Sequence, residues 1–94
     1  MNTVLNQDTL ELIEKAAYAT MPPSEIAQLI GMTLQEFKEQ LMSESSVIYR
    51  HYHMGKKKAR LLVYEQTLEQ AKLGNIDALK LMSEHIDTMS AEEI

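Results

Sequence analysis

The sequence contains no cysteine and no tryptophan among its 94 residues, and only one phenylalanine, two prolines and three glycines. Without cysteine, the chain has no disulfide framework, no thiolate nucleophile and no zinc–thiolate site. It also lacks a basic-then-apolar leader and any apolar run near the roughly 18 residues that a membrane-spanning helix needs. These absences predict a soluble, intracellular protein.

The length of the chain predicts one compact domain with a modest core. A protein of about this size buries roughly 60–65% of its unfolded surface, so its stability is marginal and self-association would add to it. Apolar residues make up 45% and charged residues 24% of the sequence, which are ordinary values for a globular protein.

The net charge of −5 conceals three blocks of different sign. Residues 1–44 carry two lysines and seven acidic residues, and residues 74–94 carry one lysine and five acidic residues. Residues 45–73 instead carry six lysines and arginines against two glutamates, a net charge of +4. Such a basic block can attract an anionic partner, or it can pair with acidic faces of neighbouring subunits.

Helical spacing recurs along the chain and no strand pattern is present, which predicts an all-α fold. A first helix is expected to begin at Asp8, an N-cap with Glu11 three residues later, and to end before the pair Pro22–Pro23. A short second helix should cover Ser24–Ile30. Thr33 should cap a third, whose apolar positions are Leu34, Phe37 and Leu41.

A long fourth helix is expected from a cap at Ser45 to about Leu73. Gly55 inside it costs about 1 kcal/mol relative to alanine, which predicts a close helix crossing or a bend there. Gly74 should end this helix and Asn75 should cap a fifth, and so short a link makes the two helices antiparallel neighbours. Their predicted inward positions are Ile48, Tyr52, Gly55, Ala59 and Leu62 on the fourth helix and Ala78, Leu79, Met82 and Ile86 on the fifth.

The predicted architecture is therefore an N-terminal three-helix, helix-turn-helix bundle followed by an antiparallel helical hairpin. Residues 1–44 are assigned to a helix-turn-helix, DNA-binding-like region and residues 45–88 to a long-helix hairpin for packing and oligomerisation. Residues 89–94 are assigned to a frayed tail. The three segments are expected to form one compact domain.

The second and third helices have the spacing of a helix-turn-helix motif. Ala27 is small where the two helices cross, and Gly31, four residues later, supplies the positive φ of a tight turn. Phe37, six residues after Gly31, anchors one helix to the other. The predicted core of the motif is Ile26, Ala27, Ile30, Gly31, Met32, Phe37 and Leu41.

The second helix of such a motif presents its outward residues to the major groove of DNA. The candidates here are Thr33, Gln35 and Lys38. Glutamine can pair with adenine, and lysine can contact guanine or phosphate. Glu36 and Glu39 make the same helix acidic, so a single copy should bind weakly and several copies on one DNA would be needed to compensate.

The fourth helix offers a second set of candidate DNA contacts. Lys56 and Arg60 line up four residues apart, and Arg50 and Lys57 share a face seven residues apart. These side chains predict contacts with phosphate, which add affinity but carry no sequence information. The alternative interpretation of the same residues is a solvated helix face.

The histidines do not form a metal site by their spacing. His51 and His53 point about 200° apart on a helix and cannot bind one ion, and His85 has no carboxylate or histidine partner at a ligand spacing. No nucleophile–base pair, phosphate-binding glycine loop or paired carboxylates are present. We therefore predict a protein without catalytic residues, metal or cofactor.

Three stretches together resemble a known family. They are "EIAQLIGMTLQEFKEQL", "SSVIYRHYHMGKKKA" and "LEQAKLGNIDALKLM", and they lie within residues 10–86. The sequence resembles the small subunit of phage DNA-packaging terminases and their prophage-encoded helix-turn-helix relatives. The third stretch is similar to that family's turn between paired helices, and it is most specific in combination with the first.

The resemblance implies a non-catalytic adaptor that recognises viral DNA for packaging in the cytoplasm of a bacterial host. In that family the N-terminal motif binds double-stranded DNA, the hairpin assembles a homo-oligomer, and a C-terminal segment engages the ATP-driven large subunit. Carried over, Thr33, Gln35 and Lys38 would face the groove. Because the chain ends soon after the hairpin, the segment for the large subunit is expected to be short or absent.

Two other functions are consistent with the same residues. One is a small transcriptional regulator that binds a palindrome as a dimer, with half-sites about one helical turn apart. The other is a self-associating protein-interaction module without DNA binding, whose acidic third helix contacts protein.

Overall fold

The computed structural model describes residues 5–93. Every regular element in this part of the chain is an α-helix, so the predicted all-α class is confirmed. The chain divides into two compact units, Met1–Ala59 and Arg60–Ile94. The helices of the described residues are α1 (Gln7–Tyr18), α2 (Pro23–Ile30), α3 (Leu34–Leu41), α4 (Val47–Lys72) and α5 (Ile76–Glu92).

The first helix begins earlier than the sequence indicates. Asn6 rather than Asp8 is its N-cap, because the Asn6 side-chain oxygen accepts a hydrogen bond from the Thr9 backbone N–H at 2.8 Å. Asp8 lies in the first turn instead, where its negative charge is favourable at the positive end of the helix dipole. The predicted cap was therefore wrong, although both residues are good N-caps by type.

Proline and glycine bound the second helix as predicted. Pro23 is its first residue, where the missing N–H leaves no intrahelical hydrogen bond unmade. Gly31 ends it in the left-handed conformation, with a φ of 76°. Thr33 caps α3 by accepting a hydrogen bond from the Glu36 backbone N–H at 3.1 Å, which confirms that cap.

Four helices contribute to the core of the first unit. Ile13, Ile26, Phe37 and Ile48, one from each of α1 to α4, have no exposed surface. Leu10, Ala16, Ala17 and Ala27 complete the buried cluster, and Tyr52 packs against it partly buried. Leu34, predicted to point inward, is 38% exposed, because α3 buries only the side of the helix that carries Phe37.

Gly55 lies at a close crossing between α4 and α1, as the sequence indicated. A β-carbon built at this position would contact the backbone oxygen of Glu14, lie 2.9 Å from the Ala17 β-carbon and lie 3.0 Å from the Tyr18 backbone nitrogen. Two of these three neighbours are backbone atoms, which cannot rotate away. Only glycine allows the two helices to approach this closely.

The start of α4 belongs to the first unit. Ser46, rather than the predicted Ser45, caps the first turn of α4: the Ser46 hydroxyl accepts a hydrogen bond from the Ile48 backbone N–H at 3.2 Å. The sequence predicts a boundary between residues 44 and 45, whereas the boundary between the two units lies within α4, after Ala59. The difference arises because Ile48, Tyr52 and the Gly55 crossing attach this part of α4 to α1–α3.

The second unit consists of the end of α4 and α5. Gly74, with a φ of 88°, follows α4, and Asn75 caps α5 by accepting a hydrogen bond from the Ala78 backbone N–H at 3.0 Å. The rings of Tyr64 and His85 are in contact, with their centroids 4.3 Å apart and their planes tilted by 48°. α5 continues to Glu92, so residues 89–92, assigned to the frayed tail, are helical; Ile94 lies outside the described residues.

Large apolar side chains of the second unit remain exposed. Ala71 and Ala78 are the buried residues among its described positions. Leu62, Leu79 and Ile86, which the helical pattern predicted to point inward, are 44%, 50% and 51% exposed. The prediction was wrong at these three positions, because a helical repeat indicates an apolar face but does not indicate which element covers it.

Among residues 5–93, no helix combines the length and the apolar content that a bilayer-spanning segment requires.

Candidate nucleic-acid interface

The turn between α2 and α3 is built on backbone geometry. The Met32 backbone N–H donates to the Ala27 carbonyl at 2.9 Å, which closes the turn around Gly31. A β-carbon at Gly31 would meet nothing within 4 Å, so the glycine is needed for its positive φ rather than for space. Ala27 is 1% exposed at the point where α2 approaches its neighbours.

Phe37 fixes the orientation of α3. Its ring is fully buried and meets the Tyr52 ring of α4 edge-on, with the centroids 5.9 Å apart and the planes at 80°. Such edge-to-face pairs stabilise by about 0.5–1.5 kcal/mol beyond the burial of area. The remaining predicted motif residues pack around this anchor: Ile26 is fully buried, and Ile30, Met32 and Leu41 are partly buried.

The outward face of α3 carries the three predicted groove contacts, two of which already have local partners. The Thr33 hydroxyl accepts from the Glu36 N–H and donates to the Glu36 carboxylate at 2.9 Å. The Gln35 amide donates to the Glu39 carboxylate at 3.4 Å. Lys38, which lies between Glu36 and Glu39 in the sequence, is exposed. A base edge would have to replace carboxylate partners at two of these three positions.

The predicted phosphate contacts of α4 are exposed. Arg50, Lys56 and Lys57 lie in the first unit, and Arg60 is the first residue of the second. The Lys56 ammonium is 5.5 Å from the centroid of the Tyr52 ring, a cation–π contact that limits the positions of the charge. Arg50 and Lys57 lie on the side of α4 opposite to Ile48, because residues two and nine positions on are turned about 180–200° from it.

One lysine of the run at residues 56–58 is already paired. The Lys58 ammonium donates to the Glu14 carboxylate at 2.5 Å, and the His51 Nδ1 atom is 3.4 Å from the other oxygen of that carboxylate. The hydrogen bond from Lys58 lowers the pKa of Glu14 against the opposing effect of burial, and the charges of Lys58 and His51 add to the lowering. Lys58 therefore joins α4 to α1 instead of adding to the outward charge.

Sequence reasoning missed this pairing because Glu14 and Lys58 are 44 residues apart. A partial signal was present in the spacing of His51, Gly55 and Lys58, which places all three on one side of a helix. The glycine of that set marks the crossing, and the two polar residues flank it.

Sequence reasoning also missed an aromatic pair beside the exposed cations. The rings of Tyr49 and His53 are in contact, with their centroids 4.2 Å apart and their planes tilted by 49°, and Tyr52 and His53 meet edge-to-face at 5.3 Å. Burial lowers the pKa of His53, and the charges of Lys56 and Lys57 lower it further. The sequence signal for this pair is the four-residue spacing between Tyr49 and His53, which places the two rings on one face of a helix.

Across residues 5–93, no group of three or more histidine, cysteine, aspartate or glutamate side chains is placed to hold a metal ion. The exposed lysine and arginine groups can contact phosphate, and the glutamine amide can contact a base edge.

Comparison with protein-family models, with curated proteins and with solved structures finds no match to this chain.

Proposed function

We propose that this chain is a small DNA-binding adaptor that assembles with copies of itself, similar to the small subunit of phage DNA-packaging terminases. In this proposal α2 and α3 form a helix-turn-helix, and the end of α4 pairs with α5 as an antiparallel hairpin. The observation that carries the proposal is the Gly31 turn. It fixes α3 through Phe37 and leaves Gln35 and Lys38 exposed on the outward side.

The cations of α4 supply the phosphate contacts in this proposal. Arg50, Lys56, Lys57 and Arg60 are all exposed. Lys58, which pairs with Glu14, is not part of the set. A few phosphate contacts give weak binding that falls steeply with salt, so several linked copies are needed for a stable complex.

The second unit supports self-association through its exposed apolar surface. Tyr64 stacks on His85 ten residues before and eleven residues after Gly74, as expected if the chain reverses direction at that glycine. If the end of α4 and α5 pack antiparallel, a set of exposed apolar residues of both helices lies on the same side of the pair. Helix geometry places them roughly 60–90° around each helix from the line along which the two helices would touch. That set, the apolar face, comprises Leu61, Leu68, Leu79 and Ile86.

The apolar face is large enough for an association of moderate strength. Its four side chains are between 39% and 56% exposed. Covering the exposed half of one such side chain would stabilise the assembly by about 1 kcal/mol. Two identical faces of four side chains each would therefore contribute roughly 8 kcal/mol. Association costs about 4–15 kcal/mol, so assembly should depend on concentration.

DNA titration tests the proposal most directly. We expect duplex DNA to be bound by the chain at about 50 mM salt and much more weakly at about 200 mM, because phosphate contacts release counterions. The double variant Lys56→Glu and Arg60→Glu should lose DNA association while keeping the wild-type circular dichroism spectrum. Lys72→Glu together with Lys80→Glu makes the same change in net charge at two exposed residues outside the proposed set and is the matched control.

Unchanged affinity in the Lys56→Glu and Arg60→Glu double variant would remove Lys56 and Arg60 from the proposed phosphate contacts. Solution mass of the wild-type chain distinguishes the two DNA-binding functions. A ring of many copies favours packaging, whereas a dimer favours a transcriptional regulator that binds a palindrome.

A second candidate is a self-associating protein-interaction module without DNA binding. It is favoured by the hydrogen bonds that already occupy Thr33 and Gln35 with the carboxylates of Glu36 and Glu39. No DNA association even at low salt, together with concentration-dependent assembly, would support this candidate over the first.

A further inference from the structure

The outward side of the first half of α4 carries a histidine, His53, to which the proposed function assigns no role. The inward positions are Ile48, Tyr52 and Gly55. At 100° per residue, His53 lies roughly 130° around the helix from them, and Arg50 and Lys57 lie almost opposite. An imidazole and two cations therefore share the side of α4 that faces away from the core.

His53 is held in place on this side. Its ring packs against Tyr49, one turn earlier, and forms an edge-to-face pair with Tyr52, and the residue is half-buried. The two charges that act on it, Lys56 and Lys57, come one turn later on the same helix. Its described ring contacts and these two cations all belong to α4.

The free protein disfavours a charged imidazole at this position. Burial against the tyrosine rings lowers the pKa of His53, and the neighbouring lysines repel an added positive charge. A phosphate group placed between Lys57 and His53 would reverse the second effect, because it neutralises the lysine and attracts a protonated imidazole.

We propose that His53 is a phosphate-contacting residue of the outward side of α4, together with Arg50 and Lys57, and that its imidazole takes up a proton when a phosphate of the nucleic-acid backbone binds. This inference rests on the proposed DNA binding and deepens it. The tyrosine stack holds the ring in position before the phosphate arrives, and the bound proton turns a neutral donor into a charge-assisted one.

The consequence is DNA binding that strengthens as pH falls. A phosphate contact that requires a protonated imidazole is fully formed only at low pH. Affinity for DNA should therefore rise as the pH is lowered from about 8 to about 5.5. One charge-assisted hydrogen bond changes affinity by about tenfold or somewhat more. The pKa of Glu14 is lowered, so the Glu14–Lys58 ion pair remains intact over this range.

The test uses the full chain and a duplex of about 20 base pairs at about 50 mM salt, with fluorescence anisotropy measured across the pH range. Wild-type affinity should rise about tenfold toward acid pH, while the affinity of His53→Gln should change by no more than about twofold. His51→Gln is the matched control, since His51 belongs to the same helix but faces Glu14. It should keep the wild-type pH dependence.

A second readout follows the proton itself. In NMR spectra, assigned by comparison with His53→Gln, the titration of the His53 ring protons should move to higher pH when DNA is added. Binding without this movement, or equal pH dependence in wild type and His53→Gln, overturns the inference and leaves the proposed DNA binding standing. Absence of any DNA binding by the wild type overturns both, with the failure located in the proposed function.

Discussion

For the replacement of Gly55 by alanine, helix propensity and tertiary packing predict opposite changes in the stability of the protein. Gly55 lies inside α4, about two turns after its first residue, Val47. Alanine favours a helix by about 1 kcal/mol relative to glycine, so helix propensity alone predicts a more stable protein. The crossing with α1 predicts the reverse, because the new methyl group would press on the Glu14 carbonyl and approach Ala17 and Tyr18 within 2.9 and 3.0 Å.

The clash should outweigh the gain in propensity. Overpacking a closely fitted core costs about 1–3 kcal/mol, and backbone neighbours place this site near the upper end. After the propensity gain, the net loss in the free energy of unfolding should be about 2 kcal/mol, which corresponds to roughly 8–16 °C in melting temperature for a chain of this size. Urea and thermal unfolding followed by circular dichroism at 222 nm measure both quantities.

A double-mutant cycle makes the prediction specific to the crossing. Ala17→Gly removes one of the atoms that the Gly55→Ala methyl group would meet, so the two changes together should destabilise by less than the sum of the single changes. Met54→Ala, at the exposed neighbouring position, should change stability by no more than about 0.5 kcal/mol. A Gly55→Ala protein as stable as wild type, or more stable, would refute the close approach of α1 and α4.

Two further perturbations test other parts of the molecule. Glu14→Gln should lower the free energy of unfolding near neutral pH, because it removes the ion pair with Lys58. The loss should be only about 0.5–1 kcal/mol, because solvent partly screens this pair. Since the folded-state pKa of Glu14 is lowered from 4.5, its contribution is present above that pH and is lost on acidification through the folded pKa. Urea unfolding of wild type and variant should therefore converge in acid; a constant gap would contradict the ion pair. Leu68→Glu and Ile86→Glu should each shift the chain toward monomer in sedimentation or light scattering, because each places a charge on the apolar face. Leu73→Glu, at a more exposed leucine outside that face, is the control, and an equal shift there would remove the face from the proposal.

Residues that act on their immediate neighbours could be identified from the sequence. Gly31 and Gly74 end helices through a positive φ, and Thr33 and Asn75 cap helices by accepting from an N–H three residues later. These interactions close within one turn of chain, so the local sequence carries nearly all of the information. They were sufficient to predict the all-α class and the order of the helices.

The sequence could not choose between equivalent local candidates. Asn6 and Asp8, or Ser45 and Ser46, are equally good caps by type, and the packing of the following helix decides which one is used. It also could not pair Glu14 with Lys58, since a contact across 44 residues depends on how the helices cross.

Local sequence specifies where the helices form and which glycines end them, because the hydrogen bonds of helices and caps join residues three or four positions apart. Tertiary structure alone decided which apolar and charged side chains are covered. It bound Lys58 to Glu14, left Arg50 and Lys57 on the outward side of α4, and left Ile86 half exposed. Burial depends on which helices meet, and a helical repeat specifies a face without specifying what that face contacts.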